Sequence, residues 1–99
     1  MKYTAKKTEF IDSKFVSDGT EAKFTDDVSL GRFMIDCMAQ FAKTSHKKEF
    51  DAYIDGKKAG LYDIMRLINS TNSAPSEFQV REVADRLDID YLLITVSKA

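Results

Sequence analysis

Few residues of this chain could do chemistry, and their spacing does not assemble a recognisable active site. The single histidine, His46, has no serine, cysteine or carboxylate partner placed beside it by a sequence motif. The single cysteine, Cys37, lies on the apolar stripe of a predicted helix, where we expect a buried structural thiol rather than a nucleophile. We therefore predict that the protein is not an enzyme.

Two further groups of residues could hold an ion or a phosphate, but neither has the required pattern. Asp85, Asp88 and Asp90 alternate with apolar residues and lack the ligand order of a calcium loop. Gly56 and Gly60 do not precede the lysine and hydroxyl residue of a phosphate loop. One cysteine and one histidine give no zinc spacing, so no metal and no cofactor is predicted.

A lysine cluster is the candidate surface for a nucleic acid or an acidic partner, because lysines can neutralise phosphates. Its members are Lys43, Lys47, Lys48, Lys57 and Lys58. Glu49, Asp51 and Asp55 are interleaved with them, as is usual for a solvated surface of mixed charge. A solvated face is therefore the favoured interpretation, and a partner surface is the alternative.

Three small residues recur at a spacing of four: Ala52, Gly56 and Gly60. On a helix they would share one face and would let another backbone approach closely. This pattern predicts a helix-packing face inside the domain or, as the alternative, a homodimer seam. Both interpretations require a helix that continues through Gly56.

The length and charge of the chain indicate one cytoplasmic domain over residues 1–99. The apolar fraction of 43% and the charged fraction of 31% are typical of an ordinary globular protein. With 15 basic and 16 acidic residues, the net charge of −1 argues against a general polyanion binder. No apolar run follows the basic N-terminus, and the run Tyr91–Ile94 is too short for a membrane span, so neither a signal peptide nor a membrane partner is predicted.

Residues 8–25 are predicted to form a β-hairpin, because Asp18-Gly19 is a preferred dipeptide for a two-residue type I′ turn. That turn would place Phe15 opposite Ala22 and Lys14 opposite Lys23. Phe10 and Val16 would then lie on the outer face. The predicted core face consists of Ile11, Phe15, Ala22 and Phe24.

Three helices are predicted after the hairpin. The first covers residues 26–44, with an apolar stripe of Leu30, Phe33, Met34, Cys37, Met38 and Phe41. The second runs from residue 45 or 46 to Asn69, although Asp55-Gly56 also favours a turn, and a hairpin over residues 53–62 is the alternative. The third begins at Ser76, whose spacing to Gln79 fits a capping box.

The C-terminal segment resembles the helix-turn-helix family over about a dozen residues. Val83-Ala84 matches the crossing point of the two helices, Leu87 and Ile89 match the apolar positions around the turn, and Asp90 could cap a second helix. The resemblance implies DNA binding by residues 91–96. Asp88 replaces the usual turn glycine, however, and Tyr91–Leu93 offers no base-reading side chain.

A core strand explains the same residues better. The segment from Tyr91 to Val96 is rich in aromatic, β-branched and leucine residues. Leu92, Ile94 and Val96 would point to one face of a sheet, while Tyr91, Leu93 and Thr95 would point to the other. We therefore predict a terminal strand.

The predicted fold class is α+β: an N-terminal β-hairpin, two to three helices, and a C-terminal strand completing a small antiparallel sheet. Exposed sheet edges and an apolar outer face favour a protein-binding module, with a homodimer as one form of it. In size and composition the chain resembles small bacterial and phage proteins that modulate a host factor. The alternative is a DNA-binding protein that uses the helix-turn-helix-like segment or the lysine cluster.

Overall fold

The structure is a computed structural model, and it describes residues 3–45, 49–60, 62–64, 66, 76–85 and 87–98. In these ranges the elements are β1 (Tyr3–Ile11), β2 (Lys14–Phe24), α1 (Asp27–Ser45), β3 (Phe50–Ile54), β4 (Lys57–Ala59), β5 (Glu77–Glu82) and β6 (Tyr91–Lys98). A short helical segment covers residues 62–64.

The six strands form one antiparallel sheet in the order β2-β1-β6-β5-β3-β4. The predicted α+β class and the return of the C-terminal strand to the N-terminal hairpin are confirmed, since β6 pairs with β1. The helical content is lower than predicted: the described part contains one long helix, and strands occupy segments that we expected to be helical.

The first hairpin turns at Asp12-Ser13 and not at Asp18-Gly19. Both turn residues have positive φ, 52° and 63°, as a type I′ turn requires. Gly19 is instead the extra residue of a β-bulge inside β2, where the register with β1 shifts, and its φ of 71° suits glycine. Phe15 therefore pairs with Phe10 and not with Ala22.

Long-range hydrogen bonds favour the turn at residues 12–13. The backbone N–H of Asp12 donates to Oδ1 of Asp90 at 3.0 Å, and the Ser13 hydroxyl donates to Oδ2 of Asp88 at 2.6 Å. These partners come from the connection between β5 and β6, so they cannot be identified from the dipeptide that makes the turn. The predicted pairing of Lys14 with Lys23 is also wrong: Lys14 pairs with Ile11.

Helix α1 confirms the first predicted helix to within a residue at each end. The Asp26 carboxylate caps its N-terminus, because the backbone N–H of Ser29 donates to Oδ1 of Asp26 at 2.7 Å. That hydrogen bond holds the pKa of Asp26 below its usual value. The Tyr3 hydroxyl donates to the Asp27 carboxylate, which joins β1 to the first turn of the helix.

The second predicted helix is wrong over residues 50–59, where β3 and β4 form the alternative hairpin. Asp55 and Gly56 make its turn with φ of 50° and 82°. Asp55 Oδ1 also accepts hydrogen bonds from the backbone N–H groups of Ser76 and Glu77, at 2.7 and 2.9 Å. These bonds attach the turn to the start of β5, which pairs with β3.

Replacing Gly56 by alanine is expected to lower the free energy of unfolding by about 1–2 kcal/mol, because alanine is disfavoured at a φ of 82°. No atom lies within 4 Å of the added Cβ, so the cost comes from the backbone alone. Urea unfolding measures it, and Gly60→Ala is the matched control. Gly60 has no positive φ and its added Cβ would make an ordinary contact, so an equal loss in both variants would contradict this explanation.

The third predicted helix is wrong as well, because residues 77–82 form β5 at the centre of the sheet. Phe78, Val80 and Glu82 are buried at alternate positions, a period of two rather than 3.6. Val83 and Leu87, which match packing positions of the helix-turn-helix family, are exposed. The capping-box match of Ser76 and Gln79 is therefore coincidental.

The hydrophobic core lies between α1 and one face of the sheet, where the helix packs against β1, β6 and β2. The helix contributes the predicted residues Leu30, Met34, Cys37 and Phe41, all of them buried. Leu92 and Ile94 are fully buried on β6, as predicted for the face opposite Tyr91 and Leu93. The opposite face of the sheet, hereafter the outer face, therefore points away from α1.

Candidate functional site

The outer face carries a continuous row of aromatic side chains. The strand registers align Phe15 on β2 with Phe10 on β1, and Phe10 with Tyr91 on β6. The Phe10 and Phe15 rings meet edge to face at 5.1 Å between centroids, and the Phe10 and Tyr91 rings stack at 5.5 Å. Because such ring pairs hold each other in place, the row is a preordered surface.

The row continues across the sheet through an arginine. Arg81 on β5 pairs with Tyr91, and its guanidinium carbon lies 4.2 Å from the ring centroid of Tyr53 on β3. This geometry is a cation–π contact. We call this surface the outer aromatic patch, and its members are Phe10, Phe15, Tyr53, Arg81, Tyr91 and Leu93.

The outer aromatic patch is partly open to solvent. Phe15 is 57% exposed, and Phe10, Tyr91 and Leu93 are half-buried. The long helix lies on the opposite side of the sheet, and Ile64 of the short helical segment belongs to the core. In the described ranges, therefore, no helix covers the outer face.

The outer face carries charges of both signs, and two of its lysines lie next to a carboxylate. Lys6 Nζ lies 3.6 Å from a Glu21 carboxylate oxygen, and Lys58 Nζ lies 3.4 Å from Asp51 Oδ1. The Arg81 charge lies over an aromatic ring. Over the described part of the outer face, these carboxylates interrupt any stripe of positive charge along which a phosphate backbone could lie.

The lysine cluster is only partly within the described residues. Lys43 is exposed near the C-terminal end of α1, whereas Lys57 and Lys58 are exposed on β4. Lys58 makes the ion pair with Asp51 described above. Lys47, Lys48 and His46 lie outside the described residues, so the cluster as a whole stays a prediction.

The predicted seam of small residues does not exist as one helical face. Ala52 lies in β3, Gly56 forms the turn, and Gly60 follows β4. A strand, a turn and a strand end cannot present a spacing of four along one surface. The physical reason is that Asp55-Gly56 reverses the chain, which places Ala52 directly opposite Ala59.

The helix-turn-helix interpretation is also wrong, since both of its expected helices contain strands. Residues 77–82 belong to β5, and residues 91–98 to β6. Leu92 and Ile94 are fully buried in the core, so a groove of DNA could not reach them. Asp90, the proposed cap, is a fully buried side chain that accepts the hydrogen bond from Asp12.

Cys37 is buried on α1, as predicted. Burial raises the pKa of its thiol to about 11, so the reactive thiolate is scarce at neutral pH. In the described residues, no group of three or more histidine, cysteine, aspartate or glutamate side chains is arranged to hold a metal ion.

We expect Cys37 to react with a thiol reagent at pH 8 only as fast as the protein opens. The native protein should therefore react at least about tenfold more slowly than the same chain in denaturant. Absorbance after addition of a disulfide reagent measures both rates, and the denatured sample counts the single thiol. Equal rates in the two samples would show that the thiol is accessible in the folded state.

Part of the outer aromatic patch was predictable. The sequence placed Phe10 on the outer face and set Tyr91 and Leu93 opposite the core residues of β6. Sequence reasoning missed the other three members. The wrong hairpin turn assigned Phe15 to the core face, and Tyr53 and Arg81 were assigned to helices instead of strands. The alternation of buried Phe78 and Val80 with polar neighbours was the signal that could have identified β5.

Comparison with known proteins adds no identification: no family model, no curated protein and no solved structure matches this chain. In the described residues, no helix is long and apolar enough to cross a membrane.

Proposed function

We propose that this protein is a non-catalytic protein-binding module whose contact surface is the outer aromatic patch. One observation carries the proposal: an ordered aromatic row lies partly exposed on a sheet face that α1 leaves open. Aromatic residues and arginine are enriched where proteins bind each other, and aromatic rings bury much area with few rotatable bonds.

The mixed charge of the outer face supports a protein partner over a nucleic acid. Aromatic platforms that bind single strands work together with a positively charged groove. Here Lys6 and Lys58 are each next to a carboxylate, and Arg81 lies over Tyr53. The partner that fits is a protein surface with an apolar centre and few charges, which would pack against Phe15, Phe10 and Tyr91.

The size and composition of the chain support a modulator of a larger cellular factor. A chain of 99 residues without a recognisable active site can act by occupying a surface. The sheet provides a rigid support, which lowers the ordering cost of binding. A helix-turn-helix cannot form from residues 77–98, because they contain β5 and β6, and no contact in the described residues favours DNA binding by the lysine cluster.

Affinity capture from a lysate of the source cell tests the proposal, with Phe15→Glu as the test variant. We expect the wild-type chain to retain specific proteins with or without nuclease, and Phe15→Glu to lose at least about nine-tenths of them, because a carboxylate would be desolvated at the contact. The charge change is made at an exposed site, so circular dichroism should show an unchanged fold.

Val28→Glu is the matched control for this experiment. Val28 is an exposed apolar residue of α1, and α1 packs against the face of the sheet opposite the outer aromatic patch. It receives the same charge as the test variant. Equal loss of captured proteins in both variants, or loss on nuclease treatment, would overturn the proposal.

A further inference from the structure

A second surface of the molecule, the edge of β2, is separate from the outer aromatic patch. β2 is the outermost strand on one side of the sheet and pairs with β1 alone among the described strands. An edge strand presents backbone N–H and C=O groups that can pair with another strand. The opposite edge, β4, has three residues and offers little length for pairing.

The second half of β2 is regular enough to accept a strand. The bulge at Gly19 interrupts the ladder, but residues 20–24 pair with β1 without a register shift. Helix α1 begins shortly after, with Asp26 as its cap. The usable edge is therefore the segment Thr20–Phe24, bounded by a bulge at one end and a helix at the other.

The charges of this segment select one partner and one register. Glu21 and Lys23 both lie on the outer face, since they pair with Lys6 and Thr4. Consider two copies of β2 that pair about a two-fold axis normal to the sheet. Paired residues must share a face of the sheet, so the axis has to pass between one residue and the same residue of the second copy. An axis at residue 21 opposes two glutamates, and an axis at residue 23 opposes two lysines.

An axis at Ala22 gives the complementary arrangement. Glu21 then lies opposite Lys23 of the second copy, and the same contact is repeated on the other side of the axis. Small side chains meet at the centre, where Ala22 faces Ala22. Gly19, the bulge residue, would lie opposite Thr25 of the second copy, just beyond the end of β2. The ladder of hydrogen bonds between the two copies therefore ends at these residues on both sides of the axis.

We propose that the β2 edge pairs with the β2 edge of a second copy, in antiparallel register about Ala22, and joins the two sheets into one. Since the axis is normal to the sheet, both outer aromatic patches face the same side of this dimer. Two patches on one side can engage a repeated or dimeric partner with increased avidity. The dimer does not depend on the function proposed above, because its contacts come from a different surface.

Sedimentation analysis of the full chain tests the dimer. From about 1 µM to about 1 mM we expect the mean mass to rise from the 11.2 kDa of one chain toward twice that value, because a short polar interface binds weakly. Lys23→Glu would place two carboxylates opposite each other, and Glu21→Lys two ammonium groups. Each variant alone should stay monomeric, with at least a tenfold weaker association.

Mixing the two variants provides the decisive measurement. A chain with Lys23→Glu and a chain with Glu21→Lys are complementary at both contacts, so an equimolar mixture should regain association as a heterodimer. Any effect of Glu21→Lys on the ion pair with Lys6 is present before and after mixing and cannot imitate this result. Thermal melts of each variant confirm that the monomers are folded.

Lys14→Glu is the matched control, because it makes the same charge change on β2 outside the segment Thr20–Phe24. We expect it to associate as the wild type does. A wild type that stays at the monomer mass at 1 mM, association unchanged by Lys23→Glu, or a mixture that stays monomeric would each overturn the proposed dimer. Protein capture through Phe15 would still be measured separately, so the two proposals can fail independently.

Discussion

Replacing Phe41 by alanine is expected to lower the free energy of unfolding by about 3–5 kcal/mol. Phe41 is fully buried on α1, and its ring packs edge to face against Phe50 of β3, with 5.3 Å between the centroids. Alanine would lose that contact and leave a cavity between the helix and the sheet. A domain of this size has about 5–15 kcal/mol of stability in total, so the loss is a large part of it.

Thermal and urea unfolding measure this prediction, and the midpoint of thermal unfolding should fall by about 15–30 °C. Phe41→Leu retains most of the apolar volume and should lose much less. Gln40→Ala, at an exposed position of the same helix turn, should change the stability by less than about 0.5 kcal/mol. A loss below about 1 kcal/mol for Phe41→Ala would show that the core does not depend on this contact.

Replacing Asp90 by alanine is expected to lower the free energy of unfolding by about 2–3 kcal/mol, because it leaves a backbone donor without its acceptor. Asp90 is fully buried, and its Oδ1 accepts the hydrogen bond from the N–H of Asp12 in the first turn. Its own N–H donates to Glu82 Oε1 at 3.0 Å, and the Glu82 N–H donates to the Asp90 carbonyl at 2.9 Å. The Asp90 side chain therefore links the turn of the first hairpin to the connection between β5 and β6 by a hydrogen bond.

Asp90→Asn separates the hydrogen bond from the size of the side chain. Asparagine keeps an acceptor oxygen in the same place, so we expect it to retain more of the stability than alanine does. Asp85→Ala, at an exposed position of the same connection, serves as the control for removal of one negative charge. Equal losses for Asp90→Ala and Asp85→Ala in urea unfolding would contradict a structural role for the buried carboxylate.

The elements that sequence reasoning predicted correctly are those whose periodicity and end residues can be recognised from their own segment of the sequence. Helix α1 has nineteen residues, an apolar stripe from Leu30 to Phe41 over about three turns and an aspartate cap, so period and capping agree. Strand β6 concentrates apolar residues in a run too short for a buried helix. The prediction that Tyr91 and Leu93 face away from the core follows from the alternation of side chains along this strand.

The elements that it missed are short and depend on distant partners. β3 has five residues, and Phe50, Tyr53 and Ile54 fit a helical stripe as well as a strand over so short a window. The first turn has the same difficulty: Asp18-Gly19 has the better local propensity, but Asp12 is held by an acceptor 78 positions away. Tertiary contacts override local preference at such places.

The outer aromatic patch could not be predicted in full for the same reason. Its members come from five strands, and they become neighbours once the strand order β2-β1-β6-β5-β3 is known. The sequence shows Phe15 and Tyr53 as two more apolar residues of amphipathic segments. Their faces follow from the strand registers, which pair Phe15 with Phe10 across an unexpected turn and Tyr53 with Gln79 of a distant strand.

The pairing of β1 with β6 has a consequence for the synthesis of the protein on the ribosome. β1 lies between β2 and β6, and Tyr3 is paired with Lys98. One hydrogen-bonding edge of β1 can therefore pair only after β6, the last described strand, has been synthesised. A nascent chain can form the first hairpin and α1, but it leaves the backbone hydrogen-bonding groups on one edge of β1 without strand partners until β6 emerges. The sheet can therefore be completed only after β6 has emerged, and we expect folding to be slow, as is typical of a topology with high contact order.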